Sequence, residues 1–186
     1  MSYYHGIKTF ERATAIKPAV NTEGCLPVIV GTAPINLATD PVEPNTPVLC
    51  RQMAEAVAAF GYKPDFDKYN IAEAIYTFFS LYGVSPVIFI NVLDKTKHKT
   101  SVSGAQITVT DHMAIIKEDV LLDTLTVKSA DASVKLQVDT DYTAAFDDSG
   151  TVIITLVANS SHYGDTSITV AYDKIDPSKV TTADII

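Results

Sequence analysis

The residues with the clearest metal-ligand chemistry form an acidic group, Asp139, Asp141, Asp147 and Asp148. Ca²⁺ prefers carboxylate oxygens, but a calcium loop of the EF-hand type needs them at alternate positions with a closing Glu, and that pattern is missing. The residues between the two acidic pairs, 142–146, are typical of a strand. We therefore interpret these aspartates as turn residues on a solvated face, with a Ca²⁺ site as the alternative.

Imidazole and hydroxyl groups offer a second kind of chemistry. The four histidines are His5, His98, His112 and His162, and no two are spaced four apart or lie beside a Cys-x-x-Cys pattern, so no zinc site is predicted. Ser160 and Ser161 place hydroxyls next to His162. Adjacency in sequence is not the geometry of a catalytic triad, and we predict a loop between strands there.

The chain contains two cysteines, Cys25 and Cys50, each beside apolar residues. This setting favours buried, reduced thiols, with a disulfide between them as the alternative. Neither cysteine has a neighbouring pattern that supplies a base, as a nucleophilic thiol would need.

A nucleotide-binding loop would lie after the first strand, where the sequence has Gly31-Thr32-Ala33-Pro34. The segment lacks the Gly-x-Gly-x-x-Gly spacing and the Lys-Ser/Thr ending of phosphate-binding loops. We predict no catalytic, metal or cofactor site in this chain, and therefore a protein that is not an enzyme.

The composition predicts a globular protein with a packed core and argues against a nucleic-acid-binding protein. Apolar residues make up 47% of the 186 residues and charged residues 19%, enough for one ordinary domain or two small ones. The net charge of −8 argues against a surface that neutralises phosphates. No apolar run approaches the roughly 20 residues of a membrane-spanning helix, and the N-terminus does not resemble a secretory signal.

Residues 26–94 alternate strand and helix signals. Strands are predicted at 26–30 and 86–93, the second apolar enough to be covered on both faces, and 47–50 is a short strand or a helix entry. One helix ends at Gly61 and has the apolar stripe Cys50, Met53, Ala54, Val57 and Phe60. A second has Asn70 as its N-cap with Glu73 three residues later, ends at Gly83, and has the apolar face Ile71, Ala74, Ile75, Phe78, Phe79 and Tyr82.

After a polar, basic stretch at 95–100 the signals are those of strands. Apolar and polar residues alternate at 125–128, 134–138, 151–157 and 167–172, with Asp, Ser and Gly turns between them, which predicts a β-sandwich or small barrel. Residues 147–150 are predicted to form a hairpin turn, with Gly150 free to take a positive φ. The predicted fold class is α+β: a small α/β layer domain with an extended N-terminal arm, and a mostly antiparallel β-sandwich or barrel domain.

The leader before the first strand has a character of its own. Residues 1–20 are polar, dotted with aromatic residues and without a helical period. They are too polar to build a core alone, and they are typical of an arm that docks on a neighbouring subunit.

The order of these features resembles that of contractile phage tail sheath proteins, which also occur in phage-tail-like bacteriocins. The resemblance begins with Tyr4-His5-Gly6-Ile7 and with Pro27 to Ala33, where the family has a Tyr-His-Gly-Val/Ile leader before a strand ending in Val-Gly-Thr-Ala. It continues through 45–49 and 85–92 and, in the β half, through 139–150 and 170–180.

The resemblance implies a structural subunit that polymerises in hexameric rings around an inner tail tube. On a signal from the baseplate, the sheath contracts and drives the tube through a cell envelope for genome ejection. The implied partners are other sheath subunits, the tube protein, the baseplate and the tail terminator, without nucleic acid contact or membrane insertion. The implied location is the virion tail, assembled in the host cytoplasm.

The resemblance also assigns parts of the chain. Residues 1–20 would be an arm that adds a strand to a neighbour's sheet, with Tyr3, Tyr4, His5, Gly6, Ile7, Phe10 and Ile16 as its subunit-interaction residues. Residues 21–94 would be the α/β part of the sheath core, 95–103 a linker and 104–176 the outer β-domain. Residues 177–186 would return toward a C-terminal part that completes the core in longer family members. The alternative function is a β-rich ligand-binding or adhesive surface module.

Overall fold

A computed structural model describes residues 26–185, and these form two units of different secondary structure. The α/β unit, residues 26–94, contains β1 (Val28–Gly31), β2 (Pro47–Cys50), α1 (Met53–Phe60), α2 (Asn70–Ile75) and β3 (Val87–Asn91). The β unit, residues 99–175, contains β4 (Lys99–Thr108), β5 (Met113–Ile116), β6 (Thr126–Ser129), β7 (Tyr142–Phe146), β8 (Val152–Leu156) and β9 (Ser167–Ile175). The predicted α+β class is confirmed.

The sheet of the α/β unit has the order β1-β3-β2, with β1 parallel and β2 antiparallel to β3. The parallel pair requires a crossover connection, which the helices α1 and α2 provide. Both helices contribute to the core on one face of this sheet, where Phe60, Ile71 and Ile75 join Val87 and Phe89.

The opposite face of this sheet corrects a prediction. The apolar run at 86–93 indicated a strand covered on both faces, yet Ile88 and Ile90 of β3 are only half-buried, whereas Val87 and Phe89 are buried. A continuous apolar run therefore marks a two-sided strand whose second face the described residues leave uncovered.

Both predicted helices exist, with corrections to their faces and start. The buried residues of α1 are Ala56, Ala59 and Phe60, whereas Ala54 is exposed and Cys50 belongs to β2. The N-cap of α2 is Tyr69, not Asn70, because the Asn70 side chain accepts a hydrogen bond from the Thr32 backbone N–H instead of capping its own helix.

A π-helical turn, Tyr76–Leu81, continues α2. Tyr82, which follows this turn, was predicted to extend the apolar face of the helix, but it is 73% exposed. Gly83 then takes a positive φ of 62°, which reverses the chain after the helix.

The β unit consists of two antiparallel three-stranded sheets, β4-β9-β6 and β5-β8-β7. Inward side chains of both sheets, among them Val127, Val170, Val152 and Ile154, belong to one hydrophobic cluster. The predicted turn between β7 and β8 is confirmed, with Gly150 at a φ of 76°.

One predicted strand is missing from the structure, and two observed strands have no counterpart among the predicted strands. Residues 134–138 form only isolated bridges at Lys135 and Val138, because turns with positive-φ residues at Ala132 and Asp139 flank them. Strand β4 includes residues 99–103 of the predicted linker, and β5 was not predicted.

The two units share a smaller apolar cluster. Ile35, Tyr69 and Leu93 of the α/β unit contact Leu121 and Ile175 of the β unit there. The Asn36 side chain also donates a hydrogen bond of 3.3 Å to the carbonyl oxygen of Val120. The β unit is thus packed onto the α/β unit through side chains as well as through the connecting chain.

Candidate interaction surfaces

The seven residues predicted for subunit interaction lie outside the described residues. They are Tyr3, Tyr4, His5, Gly6, Ile7, Phe10 and Ile16. Their role remains a prediction, and the candidate surfaces below come from residues 26–185.

The uncovered face of the α/β sheet is apolar throughout and is called here the open face. Cross-strand pairing arranges it in two rows, Val28-Ile88-Leu49 and Val30-Ile90-Pro47. Val28 is 53% exposed, Val30 43% and Leu49 39%. An apolar sheet face left in water is typical of a surface that another polypeptide covers.

A second exposed apolar group follows the π-helical turn. Leu81 and Tyr82 are 57% and 73% exposed, and Val84 follows them at 38%. The Ser85 hydroxyl donates a hydrogen bond of 2.7 Å to the carbonyl oxygen of Arg51, which anchors this turn beside the end of β2. The sequence signal was misleading here, since helical spacing predicted Tyr82 to be buried.

The carboxyl end of β1 is occupied by side chains of the protein itself. Asn70 Oδ1 accepts a 2.7 Å hydrogen bond from Thr32 N–H, and Asn91 Oδ1 accepts one of 3.2 Å from Ala33 N–H. A Cβ atom on Gly31 would lie 2.1 Å from Asn70 Oδ1, so only glycine allows this approach. The N–H groups that a phosphate would use after this strand are already bonded.

An open cleft of about 510 Å³ lies between the two units, with both signs of charge along it. Asp119, whose side chain is 7% exposed, lies 2.5 Å from Lys63 Nζ and 3.8 Å from Lys68 Nζ. This pairing joins the two units, because both lysines belong to the α/β unit and Asp119 to the β unit. A buried carboxylate needs such a charged partner.

Glu118 in the cleft and the buried Tyr69, which is near Asp119, have shifted pKa values. Burial raises the pKa of Glu118, but hydrogen bonds of 2.6 Å from Lys174 and Tyr172 outweigh it and hold that pKa below its usual value. Burial and the neighbouring Asp119 carboxylate raise the pKa of Tyr69, so this phenol stays protonated.

The acidic residues singled out in the sequence serve as turn acceptors. Asp147 Oδ1 accepts hydrogen bonds from Ser149 N–H and Thr151 N–H at 2.9 and 2.8 Å. Asp141 accepts from Gln137 N–H and from the Ser160 hydroxyl, at 2.8 and 2.6 Å, at the other end of β7. The turn interpretation is confirmed for both residues.

The three histidines within the described residues have separate surroundings. His98 is buried, His112 stacks on Tyr163 with ring centroids 3.7 Å apart, and His162 Nδ1 lies 2.9 Å from Asp165 Oδ2. The loop predicted at 160–162 is confirmed, and Ser160 donates its hydroxyl proton to Asp141, not to His162.

Cys50 fits the predicted buried thiol. Burial, with a contribution from Glu55, raises its pKa to about 11, so the thiolate nucleophile is scarce at neutral pH. Its possible disulfide partner, Cys25, lies outside the described residues.

Residues 26–185 contain neither a metal-binding cluster nor a membrane-spanning helix. No three His, Cys, Asp or Glu side chains in this part of the chain are grouped so as to hold a metal ion. No helix in it combines the length and the apolar character needed to cross a membrane.

The comparison with known proteins finds a similar protein in a bacteriophage. The tail sheath protein of Burkholderia phage BcepMu is 32% identical to this chain over 186 residues, which are 100% of this chain and 36% of that protein. The predicted resemblance to a tail sheath protein is thereby confirmed, and the chain spans about a third of the length of the curated relative that it matches. No family model matches the chain, and no solved structure matches it significantly.

Proposed function

We propose that this chain is the N-terminal and outer part of a contractile tail sheath subunit. The observation that carries the proposal is the identity of 32% to a tail sheath protein along the whole chain. In this role the subunit polymerises around the inner tail tube, and the sheath contracts to drive the tube through a cell envelope. The work comes from a difference in subunit packing between two lattices and requires no catalytic group.

The parts of the chain take the roles predicted from the sequence. Residues 1–20 form the assembly arm, and 21–94 belong to the sheath core. Residues 104–176 form the outer domain, whose two sheets pack as a sandwich around one cluster. The exposed row of Val28, Ile88 and Leu49 supports a core that is shared with further polypeptide, which residues 177–186 would approach.

The proposed partners are other sheath subunits, the tube protein, the baseplate and the tail terminator. The proposed location is the virion tail or a tail-like particle, assembled in the host cytoplasm. The net charge of −8 supports protein partners over nucleic acid, because a nucleic-acid surface needs a positive patch.

The test is negative-stain electron microscopy of the product of the natural reading frame, expressed to its own stop codon. Striated hollow tubes are expected. Deletion of residues 1–20 from the same product should abolish the tubes while leaving the circular dichroism spectrum of a folded protein. A product that stays monomeric at high concentration would contradict the proposal, and the β unit would then be screened as a binding module.

A further inference from the structure

The last described residues form a segment, 176–185, that we call the strap. It begins after β9, where Asp176 N–H donates a 2.8 Å hydrogen bond to the His98 carbonyl oxygen. Further on, Lys179 Nζ donates to the carbonyl oxygen of Lys99. The strap therefore follows the junction between the two units instead of extending from the β unit.

The strap is closed by a reciprocal cap. The Asp184 carboxylate accepts from both the backbone N–H and the hydroxyl of Thr181, at 2.8 and 2.7 Å. Asp184 N–H also donates to the Thr181 carbonyl oxygen at 3.1 Å, which closes the 3₁₀ turn Thr182–Asp184. The last turn thus has a defined shape to present to the α/β unit.

Two side chains of the α/β unit and its junction hold that turn. Asn45 Nδ2 donates a 2.8 Å hydrogen bond to the Asp184 carbonyl oxygen, and His98 Nε2 lies 3.4 Å from Asp184 Oδ2. Asn45 N–H in turn donates to the carbonyl oxygen of Asn91 at 2.7 Å, which ties the contact to the carboxyl end of β3.

The protonation of His98 follows from its hydrogen bonds. Nδ1 accepts a 2.9 Å hydrogen bond from Asp94 N–H, so Nδ1 carries no proton. The proton of the neutral ring then lies on Nε2, the nitrogen that faces the Asp184 carboxylate. His98 is only 5% exposed. Its ring therefore holds one orientation, between the Asp94 backbone N–H and the Asp184 carboxylate.

We propose that His98 and Asn45 are positioning residues that lock the strap, so that the chain leaves it at the rim of the open face. Asn45 lies two residues before Pro47, and Asn91 directly follows Ile90. Pro47 and Ile90 pair across the strands and belong to the open face. Ile185, 53% exposed, is therefore held near that end of the sheet. The lock stands on the described contacts alone and does not depend on the proposed function.

The first test is the tautomer of His98 in the folded chain, read from the ¹⁵N chemical shifts of the ring nitrogens. A protonated Nε2 and an unprotonated Nδ1 are expected. A proton on Nδ1, or a ring with the averaged shifts of a solvent-exposed histidine, would overturn the proposal.

The second test measures amide hydrogen exchange at Asp94 and Thr181 in matched variants. His98→Ala should speed exchange at both amides by about fivefold or more, the factor that corresponds to one net hydrogen bond. His98→Asn places an acceptor near the Nδ1 position and should protect Asp94 alone, whereas His98→Gln places a donor near the Nε2 position and should protect Thr181 alone. His112→Ala removes a histidine that stacks in the β unit and is the control without effect on the strap.

Unchanged exchange in His98→Ala would overturn the lock. The same variants in the natural reading frame separate the lock from the proposed function. If wild-type chains form no tubes but His98→Ala still loosens Thr181, the sheath proposal fails and the lock stands. If tubes form and the strap does not loosen, the lock fails and the sheath proposal stands.

Discussion

The β unit closes its core between two sheets, whereas the α/β unit closes only one side of its single sheet. Val152 and Ile154 of β8 are fully buried, with Val127 and Val170 of the other sheet in the same cluster. On β1, by contrast, Val28 and Val30 remain about half exposed although they are as apolar. The difference indicates that the β unit is self-sufficient in its packing, whereas the described residues leave one face of the α/β sheet exposed.

The largest expected loss of stability comes from a substitution in the closed core of the β unit. Ile154→Ala removes a fully buried side chain from the β-unit cluster and should lower the free energy of unfolding by about 2–5 kcal/mol, because a cavity is left between the sheets. Urea denaturation followed by circular dichroism measures it. A loss below about 1 kcal/mol would show that the two sheets do not share a packed core.

The next effect concerns the contact that joins the two units. Asp119→Asn leaves Lys63 without its anionic partner in a mostly buried site and should cost about 2–3 kcal/mol. Thermal unfolding should then separate into two transitions, one for each unit. Asp148→Asn, at an exposed turn position, is the control. A single transition with an unchanged midpoint would contradict the role of Asp119 in coupling the units.

A smaller effect is expected at the carboxyl end of β1. Gly31→Ala puts a Cβ atom 2.1 Å from Asn70 Oδ1, so the Asn70 side chain must move and its hydrogen bond from Thr32 N–H is lost, at a cost of about 1–3 kcal/mol. Gly164→Ala has open space around its Cβ and should change stability by less than about 0.5 kcal/mol. Equal stability of the two variants in urea denaturation would rule out the close approach at Gly31.

Acid should act mainly on the β unit, where most of the lowered carboxyl pKa values lie. Hydrogen bonds from Ser129 and Ser133 lower the pKa of Asp131 to about 2, and those from Ser149 and Thr151 lower that of Asp147. A lowered folded-state pKa adds stability that is present above the unfolded value of about 4 and is lost as the pH falls through the folded value. The melting temperature should therefore decline between pH 4 and pH 2.

The matched variant for this acid effect is Asp131→Asn, which keeps an acceptor oxygen but does not titrate. Its melting temperature should decline less steeply than that of the wild type over the same pH range. Parallel curves would show that the Asp131 turn does not contribute to the acid sensitivity.

The sequence revealed elements whose signal is local. The β-branched apolar residues between turns predicted β8 correctly, and Val152, Ile154 and Leu156 are its buried side chains. Strand β4 was missed because Thr100, Ser101 and Ser103 give no apolar pattern, and its position depends on pairing with β9 along eight partner pairs. Tertiary pairing of this kind is not encoded in the local pattern.

The candidate surfaces were harder to predict than the elements. The run at 86–93 predicted an apolar strand. Its composition does not predict what covers the second face, because it is the same whether that face is covered within the chain or by another polypeptide. Tyr82 continued a helical stripe in sequence, yet the π-helical turn Tyr76–Leu81 changes the spacing of the side chains and turns it to solvent. The strap was predicted only as a returning segment, since the contact between His98 and Asp184 joins residues far apart in sequence.

The smallest expected effect on stability is at Val28, and the adjacent Ile29 gives a matched contrast, because neighbouring residues of β1 point to opposite faces of the sheet. Val28→Thr keeps the shape of an exposed side chain on the open face and should change the free energy of unfolding by less than about 0.5 kcal/mol. Ile29→Thr puts a hydroxyl against the cluster under α1 and α2 and should cost about 1–3 kcal/mol.

A hydrophobic dye separates the two faces independently of stability. ANS fluorescence should fall in Val28→Thr, because the open face becomes more polar, and should not fall in Ile29→Thr. If Val28→Thr were as costly as Ile29→Thr and left the fluorescence unchanged, Val28 would be covered in the folded chain. The two faces of β1 would then be equivalent, and the α/β unit would need no further polypeptide to complete its core.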